Sequence, residues 1–423
     1  MDWKNKYSKK IEKYIDKMDV LKKDFITIPS DHTIIKKIKD IYKKLIISPL
    51  TTQHSSIIKE KSNLKYPLSY NLKNDKDIYD KWIFDIIKGN TIPKVSKKKI
   101  SEYYISSNQK DKLALEKLTD IIYNSIYISI DIQFAIEKMK IHYVNYSNEY
   151  LNLHIYSDDK KNINIELINK IVLLIKTISG NSYPVELFLI LTNQKKYILD
   201  KIKKISAFNA NSGYSISESR IVIWRYEEIY KVLIHELCHY YKIDSNIRSS
   251  YNEKKILRKF HSIFNVKKNI DSVTETYTEI FAVFIHTLLL SIINNENFNK
   301  LINDEIKFSF FQVSKILKLF NATSLKELVD KKIFIDIGTS VISYYIVKLG
   351  ILLNLNQILD FWEQNSFIVK EESPEYIEIY DKSIDNLINI YNDIFIVIIK
   401  YLKNDKCNCF VNRTFRMTMY QIK

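Results

Sequence analysis

Two histidines four residues apart, with a glutamate directly after the first, stand at positions 235–239 as His235-Glu236-Leu237-Cys238-His239. On a helix, residues i and i+4 lie one above the other on a single face. Two imidazoles so placed can converge on one Zn2+. The adjacent carboxylate can take a proton from a metal-activated water without itself binding the metal. The preceding run, Tyr230-Lys231-Val232-Leu233-Ile234, is mostly apolar and free of Gly and Pro. His is scarce, at eight residues, and chance produces this pattern in such a chain roughly once in a hundred times. Cys238 points off the ligand face and is expected to pack.

A working zinc site needs a third protein ligand and an open position. Three continuations compete. A third His at the spacing H-E-x-x-H-x-x-G-x-x-H is excluded, because Lys242 and Ser245 stand where Gly and His would be. An Asp shortly after the helix is available as Asp244, without a Gly turn to bring it round. A Glu on a later helix is available twice, in Thr274-Glu275-Thr276-Tyr277-Thr278-Glu279-Ile280-Phe281-Ala282. Glu275 and Glu279 share a helical face, so one can ligate while the other holds a ligand histidine in its tautomer.

The two motifs together resemble the gluzincins, the zinc peptidases whose third ligand is a glutamate. That resemblance implies a zincin-like peptidase domain, one Zn2+ per chain and a peptide or protein substrate. Two registers follow from it. In N-E-x-x-x-D, Glu275 is the ligand and Glu279 the supporting carboxylate, with Thr274 replacing the Asn. In E-x-F-A, Glu279-Ile280-Phe281-Ala282 matches at every fixed position, while Val283 replaces a supporting carboxylate. Small Ala282 allows close helix approach, and Glu279 is favoured as the ligand, with Glu275 in the supporting role. The Lys- and Asn-rich style of residues 150–300 also resembles metallopeptidases of large cytoplasmic DNA viruses. Related enzymes use a Tyr or His from the lower lobe to stabilise the oxyanion; Tyr344, Tyr345 and His286 are the candidates, with the two tyrosines preferred and His286 read as core.

The elements that must position these groups are legible in outline. Alternation at residues 141–156 predicts a hairpin, followed by a helix at 165–178, a buried strand at 185–191, a turn at Gly213 and a strand at 221–224 running into the motif helix. The resemblance implies that an edge strand beside the motif helix pairs with extended substrate, and either 212–216 or 221–224 is expected to be that edge. After Glu279 the pattern is almost wholly helical, at 306–320, 341–355, 359–362 and 384–401. Residues 1–48 read as two amphipathic helices, with Ile11, Tyr14, Ile15, Met18 and Leu21 on one stripe and Ile34, Ile38, Ile41 and Leu45 on another. Residues 50–108 read as an irregular connection with a short helix near 79–88, and helix returns at 110–140. The fold class expected is α+β and predominantly helical: a basic helical region at 1–140, a zincin-like catalytic domain at 141–300, and a helical lobe at 301–423.

Composition sets the remaining bounds. Apolar residues make up 46% and charged residues 27%, as in well-cored globular proteins. The net charge of +16 is carried mostly by scattered Lys. It admits a nucleic-acid partner, although AT-rich codon usage supplies Lys as readily. Three Cys and no apolar N-terminal leader indicate a reducing, non-secreted setting, the host-cell cytoplasm or a virion. Cys407 and Cys409 lack further ligands nearby. The longest apolar run, 280–293, is short for a membrane span. Besides an active peptidase, two readings stay open: a virion structural protein that keeps a zinc fold, and a nucleic-acid-associated protease.

Overall fold

A computed structural model describes residues 6–47 and 109–420, apart from positions 140, 148–150, 164, 180–183, 199–201, 203, 245–250, 267–272, 366–373 and 405–409. The expected connection at 50–108, its short helix and Cys407 and Cys409 lie outside the described residues.

A five-stranded mixed sheet carries one side of the molecule. Its strands are β1 (His142–Ser147), β2 (Leu151–Ser157), β3 (Val185–Thr192), β4 (Gly213–Ile216) and β5 (Arg220–Arg225). Their order is β1-β2-β3-β5-β4, with the two outer pairs antiparallel and the inner pairs parallel. Strand side chains alternate between faces, and the sequence fills both. Leu187, Leu189 and Leu191 join the main core, while Phe188 and Ile190 join a second cluster behind the sheet. That second cluster is closed by α3 (Gln109–Asn124) and α4 (Ile130–Glu137), through Leu118, Ile122, Ile132 and Ile136. Gly213, expected in a turn, instead opens β4; the reversal comes at residues 217–219, where Glu218 takes a φ of 60°.

The main core lies on the other face. It contains α5 (Ile165–Ser179), the motif helix α6 (Ile229–Tyr240), α7 (Tyr251–Ile263), the long apolar α8 (Val273–Asn294) and α9 (Phe298–Leu319). A π-helical turn at Ile342–Val347 leads into a short helix at Lys348–Leu352. Then come α10 (Leu355–Asn365), α11 (Pro374–Asn389) and α12 (Asn392–Asn404). The single helix expected at 384–401 is therefore two, broken at 390–391. Among the described residues, Thr274–Asn294 is long and apolar enough to cross a membrane, but it is mostly buried inside the fold, as a core helix is.

The N-terminal helices α1 (Lys6–Ile15) and α2 (Thr33–Ile47) belong to this same core: Ile11, Tyr14, Ile15, Ile34, Ile35 and Ile38 are all buried. The link between them is gripped by asparagines one turn apart on α9. Asn303 Oδ1 accepts from Ile26 N–H at 3.1 Å, and Asn299 Oδ1 accepts from Ile28 N–H at 2.7 Å. The boundary expected at 300/301 falls inside α9. At the other end of the chain, residues 414–420 thread through the core without regular structure and are fully buried.

Candidate metal centre

The motif helix begins at an unusual N-cap. Glu228 is buried with a φ of 62°, a left-handed conformation that costs a non-glycine residue about 1 kcal/mol or more. Its carboxylate is over-determined: Lys196 Nζ lies 2.9 Å from Oε2, and Met417 and Thr418 N–H each donate to Oε1 at 2.7 Å. Burial opposes this charge, but Lys196, Arg416 and Lys231 outweigh burial and hold the carboxyl down at about 2. From this anchor α6 runs to His235 and His239, one turn apart and facing α8.

The two histidines turn their Nε2 atoms toward one another at 3.2 Å. Glu275 Oε2 lies 3.3 Å from His235 Nε2 and 3.5 Å from His239 Nε2. Ligands about 2.05 Å from a tetrahedral Zn2+ are about 3.3 Å apart, so the triangle has the dimensions that ion requires. These three residues are the one group of His, Cys, Asp or Glu side chains among the described residues whose ligand atoms converge in this way. Each imidazole is backed on its far side by a carboxylate. Glu279 Oε1 lies 3.0 Å from His235 Nδ1, and Asp244 Oδ2 lies 2.6 Å from His239 Nδ1. The Asp244 hydrogen bond places the ring proton of His239 on Nδ1 and leaves its Nε2 lone pair for the centre, and Glu279 stands at the same edge of His235.

The glutamate register expected from the sequence is thereby reversed in position. Glu275, in the first turn of α8, reaches the Nε2 edge. Glu279, one turn further on, is buried behind His235 and paired with Lys231 Nζ. Electrostatics follow the geometry. Burial disfavours charge on His239, yet Glu275 and Asp244 raise its pKa well above the ordinary value. At His235, too, burial is outweighed, here by Glu275 and Glu279. Burial would raise both carboxyls, but the histidines drive Glu275 well below its ordinary value, and Lys231 with His235 does the same for Glu279.

Glu236 faces the sheet edge. A hydrogen bond from Ser215 on β4 reaches it, and burial raises its pKa against the opposing pull of His235 and His239. Space for it is left by Gly213, where an added Cβ would stand 3.0 Å from Glu236 Oε1 and 3.0 Å from Val232 Cγ1. Of the two edge strands considered from sequence, 212–216 is the one at the sheet's end, and Ile221–Trp224 is interior.

The three oxyanion candidates separate. Tyr344 lies against the centre, its ring 6.2 Å from that of His235. It sits on the π-turn, an irregularity frequent at functional sites. Tyr345 turns the other way: its hydroxyl donates to Phe415 O at 2.6 Å and its ring stacks on Phe415, so the structure holds it in the core. His286 is buried behind Lys231, and burial with that neighbouring charge depresses its pKa to about 3. Sequence reasoning missed Asp244 as a supporting group and Lys231 altogether. The signal for Lys231 was its position, one turn before His235 on the same helical face.

No family profile matches this sequence, and no solved structure matches it. An uncharacterized protein of Acanthamoeba polyphaga mimivirus is 29% identical over 216 residues, covering 47% of this chain and 50% of the relative. The chain thus spans about half the length of the curated relative it matches. The match is consistent with a viral source.

Proposed function

We propose that this chain is a zinc-dependent peptidase with a zincin-like fold, its metal held by His235, His239 and Glu275. The observation that carries the reading is the 3.2–3.5 Å triangle of donor atoms, each histidine backed by its own carboxylate. A structural zinc site closes all four positions with protein ligands. Here three converge, and His239 and Glu275 keep about 15% of their side-chain surface in solvent. When bound, the ion supplies Lewis acidity toward water and toward the scissile carbonyl. Glu236 is the proton carrier: its carboxylate takes the proton of the attacking water and returns it to the leaving amine. Burial favours the protonated intermediate state that this requires. Tyr344, whose ring packs beside that of His235, is the oxyanion donor in this reading. Asp244 and Glu279 orient the imidazoles, and Lys231 balances the buried charge of Glu279.

The test pairs metal content with turnover. Purified wild type is expected to hold one zinc per chain and to cut members of a peptide library. E236Q is expected to hold the same zinc and to lose activity by at least 100-fold. Zinc without cleavage in both proteins favours the structural-protein reading. Absence of zinc even after reconstitution removes the metal centre altogether.

A further inference from the structure

β4 ends the sheet, and among the described residues no strand pairs with its outer side. Trp224 N–H donates to Ser212 O at 2.9 Å, which fixes the alternation of the antiparallel ladder. Tyr214 and Ile216 turn their backbone groups toward β5. Gly213 and Ser215 turn theirs to the open side. The side chains alternate as well. Gly213 and Ser215 face Glu236, whereas Tyr214 and Ile216 face the opposite side, where Tyr214 joins the cluster with Val222 and Trp224.

That opposite side is overhung by the loop between α3 and α4. Ser125 hydrogen-bonds Tyr214, and the Tyr127 ring stacks on Tyr214 with centroids 5.1 Å apart. The rim so formed is apolar and open to solvent: Ile126 is 89% exposed, Tyr127 48%, Ile216 43% and Ile130 37%. Scattered exposed apolar residues need no explanation, but a cluster of them beside a pairing edge marks a binding surface. We propose that the Ile126–Ile130 rim is the specificity surface of the candidate active site, selecting substrates with bulky apolar side chains at two positions two residues apart. An extended peptide added to β4 bonds to Gly213 and Ser215, and its residues lying across from Tyr214 and Ile216 point to the rim. This rests on the peptidase reading above.

The experiment uses zinc-loaded full-length protein. A random decapeptide library is digested by wild type, I126S and I126S/Y127S, and cleavage sites are read by mass spectrometry. Wild type is expected to enrich Leu, Ile, Phe or Tyr at two subsites spaced by two, and the double variant to lose about tenfold of that preference through KM. In parallel, E236Q and E236Q/I126S/Y127S are titrated with a fluorescein-labelled peptide alternating Leu and Thr and with one alternating Ser and Thr. The Leu peptide is expected to bind E236Q at least tenfold tighter than the Ser peptide, and the rim substitutions to erase the difference. Cleavage of no peptide by wild type removes the hydrolytic reading. Equal binding of the two labelled peptides, or a preference unchanged by the rim substitutions, overturns the rim proposal.

Discussion

Glu275 and Glu279 are the same side chain on the same face of one helix, and their neighbours give them different work. Glu275 meets two Nε2 atoms and some solvent, while Glu279 meets His235 Nδ1 and the buried ammonium of Lys231. Glu275→Ala should therefore empty the site, and Asp244→Asn should keep zinc with affinity lowered roughly 10–100-fold. Glu279→Ala should do something else as well: it strands Lys231 in the core, a loss of about 3–5 kcal/mol. Chelator competition for affinity and urea unfolding for stability separate these outcomes. Zinc lost from Glu279→Ala but kept in Glu275→Ala would restore the register expected from sequence. Gly213 gives a complementary prediction. Gly213→Ala drives a methyl to 3.0 Å from Glu236 Oε1, so the carboxylate must give by a few tenths of an ångström, where a full displacement of about 1 Å would cost about 100-fold in rate. Unchanged zinc content with kcat lowered about 3–10-fold is the expected pair of measurements, and a loss of zinc would mean that the strand, not Glu236, had moved.

At the scale of elements, helix ends explain what the sequence concealed. Both motif-bearing helices were legible, because apolar periodicity and His/Glu spacing are local. The return of Asp244 to His239 was not, because it needs a left-handed residue and the position holds Lys242 in place of Gly. Lys242 adopts a φ of 56°. Ile243 N–H donates to Cys238 O at 2.9 Å and Lys242 N–H to His239 O at 3.0 Å, the 6→1 and 5→2 bonds of a Schellman turn. Lys242→Gly should retain zinc and raise stability by about 0.5–1 kcal/mol, and Lys242→Val should weaken zinc binding by letting Asp244 swing away. Equal zinc affinity in the two variants would detach the turn from the centre. The placement of Glu275, rather than Glu279, beside the two Nε2 atoms was hidden for a related reason. It depends on where α8 begins relative to α6 and on the partner Lys231, 48 residues from Glu279, and neither leaves a local pattern.

For the whole molecule, the least legible feature is the buried segment 414–420. It has no periodicity, and its recognition is spread over distant side chains. Glu228 takes the amides of Met417 and Thr418, Glu305 takes that of Met419, and Lys348 Nζ donates to Met417 O at 2.9 Å. Lys231 also touches Met417 Sδ at 3.7 Å, so the polar core behind the candidate metal centre is continuous with the far end of the chain. Ile11, Tyr14, Ile15, Met18 and Leu21 of the first N-terminal stripe and Ile34 and Ile38 of the second are buried as packing surfaces, while the side chains of Ile41 and Leu45 lie outside the described residues; deletion of residues 1–48 would open the core rather than remove an appendage. Two buried histidines, one in this polar core and one on β2, make the fold respond to acid. His286 is held neutral down to about 3 by burial and by Lys231, and His154 down to about 4 by burial and by Lys117. Unfolded histidine takes up its proton near 6.5, so between pH 6.5 and these values the unfolded state binds more protons and stability falls with acidification. Other groups contribute with known sign. His235 and His239, raised in the folded protein, give a stabilisation already complete below 6.5. Asp131, raised to about 6 by burial, gains stability as pH falls from there to its ordinary value of 3.8, and Glu236 and Glu305, also raised by burial, contribute with the same sign. The loss of the low Glu228 carboxylate sets in only between its ordinary value of 4.5 and about 2. The difference between wild type and His286→Gln cancels these shared contributions. Urea unfolding of the two zinc-free proteins should show a gap that changes by about 1.4 kcal/mol per pH unit from pH 5.5 to 4.5 and levels off above pH 7. A gap independent of pH would mean that His286 takes up its proton inside the fold, and that the core behind α6 is open to water.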